Sequence, residues 1–90
     1  MAQELTDREI LRQLESLMRE KLEWQGDLRG DLRLAEDLRL DSLQLLTLAV
    51  EVENCFRIKL SPEEEAGIQA AGDLVRLIRM KTASKTNSSR

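Results

Sequence analysis

The chain has 90 residues, 41% of them apolar and 34% charged, with one cysteine and no histidine. That length allows a single domain with a small core, and that balance suits a folded chain rather than a disordered one. The missing histidine and second cysteine exclude an internal disulfide, Cys–His zinc chemistry and a Ser–His–Asp triad.

The net charge of −3 is unevenly placed. Residues 1–80 hold 11 basic and 17 acidic side chains, a balance of −6, and the last ten residues add +3. An acidic body with two aromatic residues suits a basic protein surface better than nucleic acid, which calls for basic patches and stacking rings. No apolar run approaches the roughly 18 residues of a membrane span, and "MAQELTDREI" lacks a signal-peptide core. The sequence therefore reads as cytoplasmic, with neither a membrane nor nucleic acid as partner.

The first predicted helix opens at "TDRE", where Thr6 caps and Glu9 reaches back as a capping box. Ile10, Leu11, Leu14, Leu17, Met18 and Leu22 follow at helical spacing, and Trp24 and Gly26 close the segment. Residues 25–40, "QGDLRGDLRLAEDLRL", hold two glycines and three Asp-Leu-Arg triplets whose spacing matches no repeat architecture. This is a long loop pinned to the core by Leu28, Leu32, Leu34 and Leu38, and loops of that length in small domains are usually functional.

The second helix starts at Asp41 or Ser42 and runs to about Phe56. At about 100° per residue, Leu45, Leu48, Ala49, Val52, Cys55 and Phe56 share one arc, a normal core face on which Cys55 is a small buried hydrophobe. Leu43, Leu46 and Val50 form a second apolar stripe. Either it packs against the loop and the third helix, or it is left for a ligand or partner. "FRIKL" alternates at 56–60, but one strand cannot make a sheet. "SPEE" at 61–64 opens a short third helix, with Ser61 as cap and Pro62 in the first turn. Glu63, Glu64 and Glu65 are an acidic helix start rather than a metal site. The last helix begins near Asp73, with Leu74, Val75, Leu77 and Ile78 as its apolar face, and residues 81–90 form a disordered polar tail. Residues 1–80 are thus one all-α domain.

Ser42 taken alone is an N-cap or first-turn serine. No base exists to activate it, so it is no self-activated nucleophile, and the chain offers no catalytic residue and no metal site. It can still be an acceptor that another enzyme modifies. A phosphate ester at a helix N-terminus is favoured by free N–H groups and the macrodipole, although Asp41 would repel it.

Residues 35–61, "AEDLRLDSLQLLTLAVEVENCFRIKLS", resemble the central segment of acyl carrier proteins. "EDL" before Asp41, Asp-Ser-Leu at 41–43, Phe-x-Ile-x-Leu at 56–60 and "GDLVRLI" at 72–78 match that family in kind and order, over roughly residues 5–80. The resemblance implies a four-helix up-and-down bundle with a long first loop and a short third helix. It also implies a stand-alone monomer whose Ser42 bears a covalent 4′-phosphopantetheine arm, added by a phosphopantetheinyl transferase and holding an acyl group as a thioester. Asp41 and Leu43 match the positions flanking that serine. Leu46 and Val50 match apolar partner contacts, and Glu53 an acidic one. Implied partners are a loading ligase for an acyl or aminoacyl group and acyltransferase or synthase enzymes.

Arg39 stands where fatty-acid carriers commonly have glycine. Gln44, Thr47 and Asn54 stand where they often have acids. Those departures point to a specialised fatty-acid or polyketide-type carrier. An aminoacyl or peptidyl carrier and an unmodified helical interaction module are the alternatives. A small, expandable apolar cavity bounded by Leu43, Leu46 and the core arc is expected to receive a carried chain.

Overall fold

In a computed structural model, residues 6–88 are described and form four helices: α1 (Asp7–Lys21), α2 (Ser42–Phe56), α3 (Pro62–Ala66) and α4 (Ala71–Ser88). Helix α1 begins as its capping box requires: Thr6 accepts from the Glu9 N–H and the Glu9 carboxylate accepts from the Thr6 N–H. Its stripe buries Ile10, Leu14 and Met18 completely, and α1 packs on both α2 and α4. Leu48, Val52 and Phe56 from α2 close the core with Leu74, Val75 and Ile78 from α4. At about 25 cal/mol per Å² of apolar area, burying such side chains is the main term holding three helices together.

Residues 22–41 form the long loop. Leu28, Leu34 and Leu38 are buried as expected, Leu32 is half-buried, and Leu40 is a further buried anchor. The loop is also stitched to the segment before α4. The Leu34 N–H donates to the Gln69 carbonyl at 2.9 Å, and the Ala71 N–H to the Leu32 carbonyl at 2.9 Å. Gly72 then lies against Gly30, its N–H donating to the Gly30 carbonyl at 2.8 Å. A Cβ on Gly72 would stand 2.9 Å from that carbonyl oxygen, so this crossing requires glycine. The pairing amounts to one isolated antiparallel bridge, Arg33 with Ala70, and no strand forms among the described residues. In "FRIKL" the alternation has another cause: Phe56, Ile58 and Leu60 are buried anchors of the α2–α3 connection.

Three expectations are corrected. Helix α4 begins at Ala71, because Asp73 accepts from the Gln69 and Ala70 N–H groups and so closes the turn ahead of it. The stretch expected to be a disordered tail from residue 81 is helical through Ser88, while residues 89 and 90 lie outside the described residues. Lys81 gives one reason, since its ammonium pairs with Glu64 at 2.9 Å and ties α4 to α3. Finally, Cys55 is exposed rather than buried, its Sγ 4.0 Å from Gln13 Oε1 across the α1–α2 contact. Partial burial, and then Glu51, raise its pKa above the ordinary 9.0, so it stays a thiol at neutral pH.

Candidate functional site

The site is built at the entrance of α2. Asp41 is the N-cap, with extended backbone, and its carboxylate accepts from the Gln44 N–H at 2.8 Å. The Gln44 side chain returns the contact, accepting from the Asp41 N–H at 3.0 Å. Ser42 is therefore the first helical residue and not the cap, which decides between the two positions its sequence allowed. Its hydroxyl is exposed and enters no hydrogen bond among the described residues. The other serines with described side chains differ. Ser61 caps α3 through the Glu64 N–H, and Ser16 lies on the exposed face of α1 and does not line the cleft that opens beside Ser42.

Beside Ser42 opens a cleft of about 320 Å³. Its walls are Leu34 from the loop, Leu45, Leu46, Leu48 and Ala49 from α2, Leu60 and Ile68 from the flanks of α3, and Leu74 from α4. Ser42 and Glu65 are the polar members of that lining. The anticipated cavity is thus present with Leu46 and the core arc in its wall, but Leu43 is not part of it. A residue one step past Ser42 on a helix turns about 100° away from the cleft.

The second apolar stripe is exposed: Leu43 by 70%, Leu46 by 57% and Val50 by 45%. Packing against α3 and the loop does not cover it, because α3 is five residues long and buries none of them. Residues 42–50 also carry no charged side chain, so the stripe is an apolar face on the uncharged half of α2.

Glu53 has a structural task that the sequence did not reveal. Its carboxylate accepts from the Leu60 N–H at 2.7 Å and fastens the α2–α3 connection. Spacing gave no sign of this, since the loop path had to be known first. Glu64 is held below its ordinary 4.5 by the Ser61 N–H and then by Lys81, and Asp73 below its ordinary 3.8 by the Ala70 and Gln69 N–H groups. Among the described residues no cluster of acidic or cysteine side chains could hold a metal ion.

Residues 12–78 match the family model described as "Phosphopantetheine attachment site". An acyl carrier protein of Prochlorococcus marinus (strain MIT 9515) is 32% identical over 78 residues, which span 86% of this chain and 98% of that protein. The chain belongs to the acyl carrier protein family. A meromycolate extension acyl carrier protein of Mycolicibacterium aurum is 37% identical over a shorter stretch of 43 residues, 48% of this chain and 44% of that one. The crystal structure of an acyl carrier protein from Thermotoga maritima superposes with a TM-score of 0.81 over 88% of this chain and 93% of its own, at 19% identity. That likeness is one of fold.

As an acyl carrier protein the chain is a carrier and not a catalyst, and its cofactor is 4′-phosphopantetheine. When attached, the arm supplies a terminal thiol that holds an acyl group as a thioester. The residues present fit such a group: a serine hydroxyl free of capping duty at a helix entrance, with an apolar cleft beside it. The family works with transferases and synthases. No helix among the described residues is long and apolar enough to cross a membrane.

Proposed function

We propose that Ser42 is the attachment point of the arm, and that the chain carries acyl groups in a specialised fatty-acid or polyketide-type pathway. The observation that carries this reading is the division of labour at the α2 entrance. Asp41 takes the cap, so the Ser42 hydroxyl stays exposed and unbonded for a transferase. In the attachment step Ser42 Oγ forms a bond to the β-phosphorus of coenzyme A. The diphosphate P–O bond breaks, and adenosine 3′,5′-bisphosphate leaves. The serine proton passes to a base of the transferase, since this chain has none to offer, and magnesium belongs to that enzyme's site.

The exposed stripe of Leu43, Leu46 and Val50 is the face for partner enzymes, a loading ligase and an acyltransferase or synthase, which a monomeric carrier meets one at a time. Glu53 is a weaker candidate for that face, because its carboxylate is engaged by Leu60. The apolar lining of the cleft supports a carried chain folding back against Leu46 and Ala49. Cytoplasmic work fits the supply of coenzyme A.

Intact mass after incubation with coenzyme A, magnesium and a broad-specificity phosphopantetheinyl transferase tests the central claim. Wild type gains the mass of one arm and Ser42→Ala gains nothing. An equal gain on Ser42→Ala, or none on either, would sink it, and no gain would favour an unmodified helical module.

A further inference from the structure

Arg39 is held in a conformation that its own side chain disfavours. Its φ is +59°, in the left-handed region, where a non-glycine residue is strained by on the order of 1 kcal/mol. Arg57 shares that φ as the C-cap of α2, where a left-handed residue is the usual helix terminator, and Glu23 follows the end of α1. Arg39 closes the turn at residues 34–37 as Glu23 closes α1, the Leu40 N–H donating to the Leu34 carbonyl at 3.1 Å around it. Of the three loop arginines, Arg29 pairs with Asp31 at 3.2 Å and Arg33 with Glu36 at 3.4 Å. Arg39 is exposed and has neither ion pair nor hydrogen bond among the described residues. The left-handed backbone at this position serves the turn and leads into buried Leu40, but it does not call for a guanidinium. This unpaired cation three residues before Ser42 contributes nothing evident to the fold through its side chain.

Its place tells what it can meet. Leu40 is buried between exposed Arg39 and exposed Asp41, so Arg39 and Asp41 both face solvent at the entrance of α2. Three residues span at most about 10–11 Å of extended chain, within reach of a long side chain directed at a group on Ser42. The entrance itself is poorly equipped for an anion. Asp41 brings a negative charge next to it and takes the Gln44 N–H, and residues 42–50 offer no cation.

We propose that Arg39 is a positioning residue for the phosphodiester of the arm on Ser42. Its guanidinium offsets the Asp41 charge and holds the root of the arm at the mouth of the cleft. A phosphodiester monoanion suits the planar guanidinium fork, which donates two parallel N–H bonds. The proposal rests on Ser42 being the attachment point.

The test compares unloaded and arm-loaded forms of wild type and Arg39→Gln, a change that keeps a non-glycine residue at the strained position. Loading is first verified by mass, and its failure on wild type strikes the Ser42 reading and this proposal together. With both proteins loaded, the phosphorus NMR resonance of the arm and the arm-dependent change in Tm are read at low salt and at about 1 M NaCl, where the screening length is about 3 Å. At low salt the arm raises Tm more in wild type than in Arg39→Gln, by on the order of a few °C for an exposed pair in a domain of this size. The phosphorus resonance differs between the two proteins. Both differences shrink at high salt. Equal arm-dependent Tm changes and coincident phosphorus resonances overturn the proposal, as they would if Arg39 served a partner's carboxylate instead.

Discussion

Replacing Asp41 by alanine separates the two tasks met at the start of α2. The carboxylate satisfies the Gln44 N–H at 2.8 Å, and α2 has no acidic residue in its first turn to take over. The orphaned N–H is exposed enough to find water, so the cost lies near the middle of the capping range, about 1 kcal/mol. In a domain of this size that lowers Tm by about 4–8 °C. Asp41→Asn keeps an acceptor of equal capping rank and forfeits only the charge at the positive end of the dipole, about 0.3–1 kcal/mol. Thermal melts followed by circular dichroism therefore rank wild type above Asp41→Asn above Asp41→Ala. Arm loading adds a second readout. In Asp41→Ala the nearest substitute cap is Ser42, whose hydroxyl would turn inward to the Leu45 N–H. Loading of Asp41→Ala is thus slower than that of Asp41→Asn at temperatures where both are folded. A melt of Asp41→Ala that matches wild type refutes the capping argument, and equal loading of the two variants refutes the idea that the cap keeps Ser42 free.

Three further outcomes are expected. Gly72→Ala gains about 1 kcal/mol of helix propensity but drives a Cβ to 2.9 Å from the Gly30 carbonyl. Overpacking against backbone costs about 1–3 kcal/mol, so denaturant unfolding shows a net loss. Gly30→Ala meets only a 3.6 Å contact and leaves this crossing intact. Leu46→Ala, at a side chain 57% exposed, changes stability by less than about 0.5 kcal/mol yet slows transfer by partner enzymes; Leu48→Ala, 2% exposed, costs about 2–4 kcal/mol. Glu64 and Asp73 have folded pKa values below their ordinary 4.5 and 3.8, so the folded form binds protons less readily than the unfolded form. Their contribution is complete above those values and is lost as pH falls through the lowered ones. Tm drops on acidification in that window, and the Glu64→Gln, Asp73→Asn double variant drops less steeply.

Much of the architecture follows from local physics that a linear chain displays. Capping residues, helical periodicity and turn formers act within a few positions of one another, so the helix starts at Thr6 and Ser61, a start at Asp41 or Ser42, and the α1 core stripe were legible in order. So was the loop pinned by Leu28, Leu34 and Leu38, together with the motif that marks the family. Tertiary structure decided the rest, because burial depends on what comes to lie opposite a face. Cys55 shares the core arc of α2 yet emerges at its edge, exposed beside Gln13 of α1. The Leu43–Leu46–Val50 stripe stays bare because α3 is too short to reach over it, and Glu53 is engaged because the chain returns Leu60 to it seven residues later. Only the fold, by giving the cap to Asp41, leaves the Ser42 hydroxyl unbonded beside a cleft whose walls come from the loop, α2, the flanks of α3, and α4.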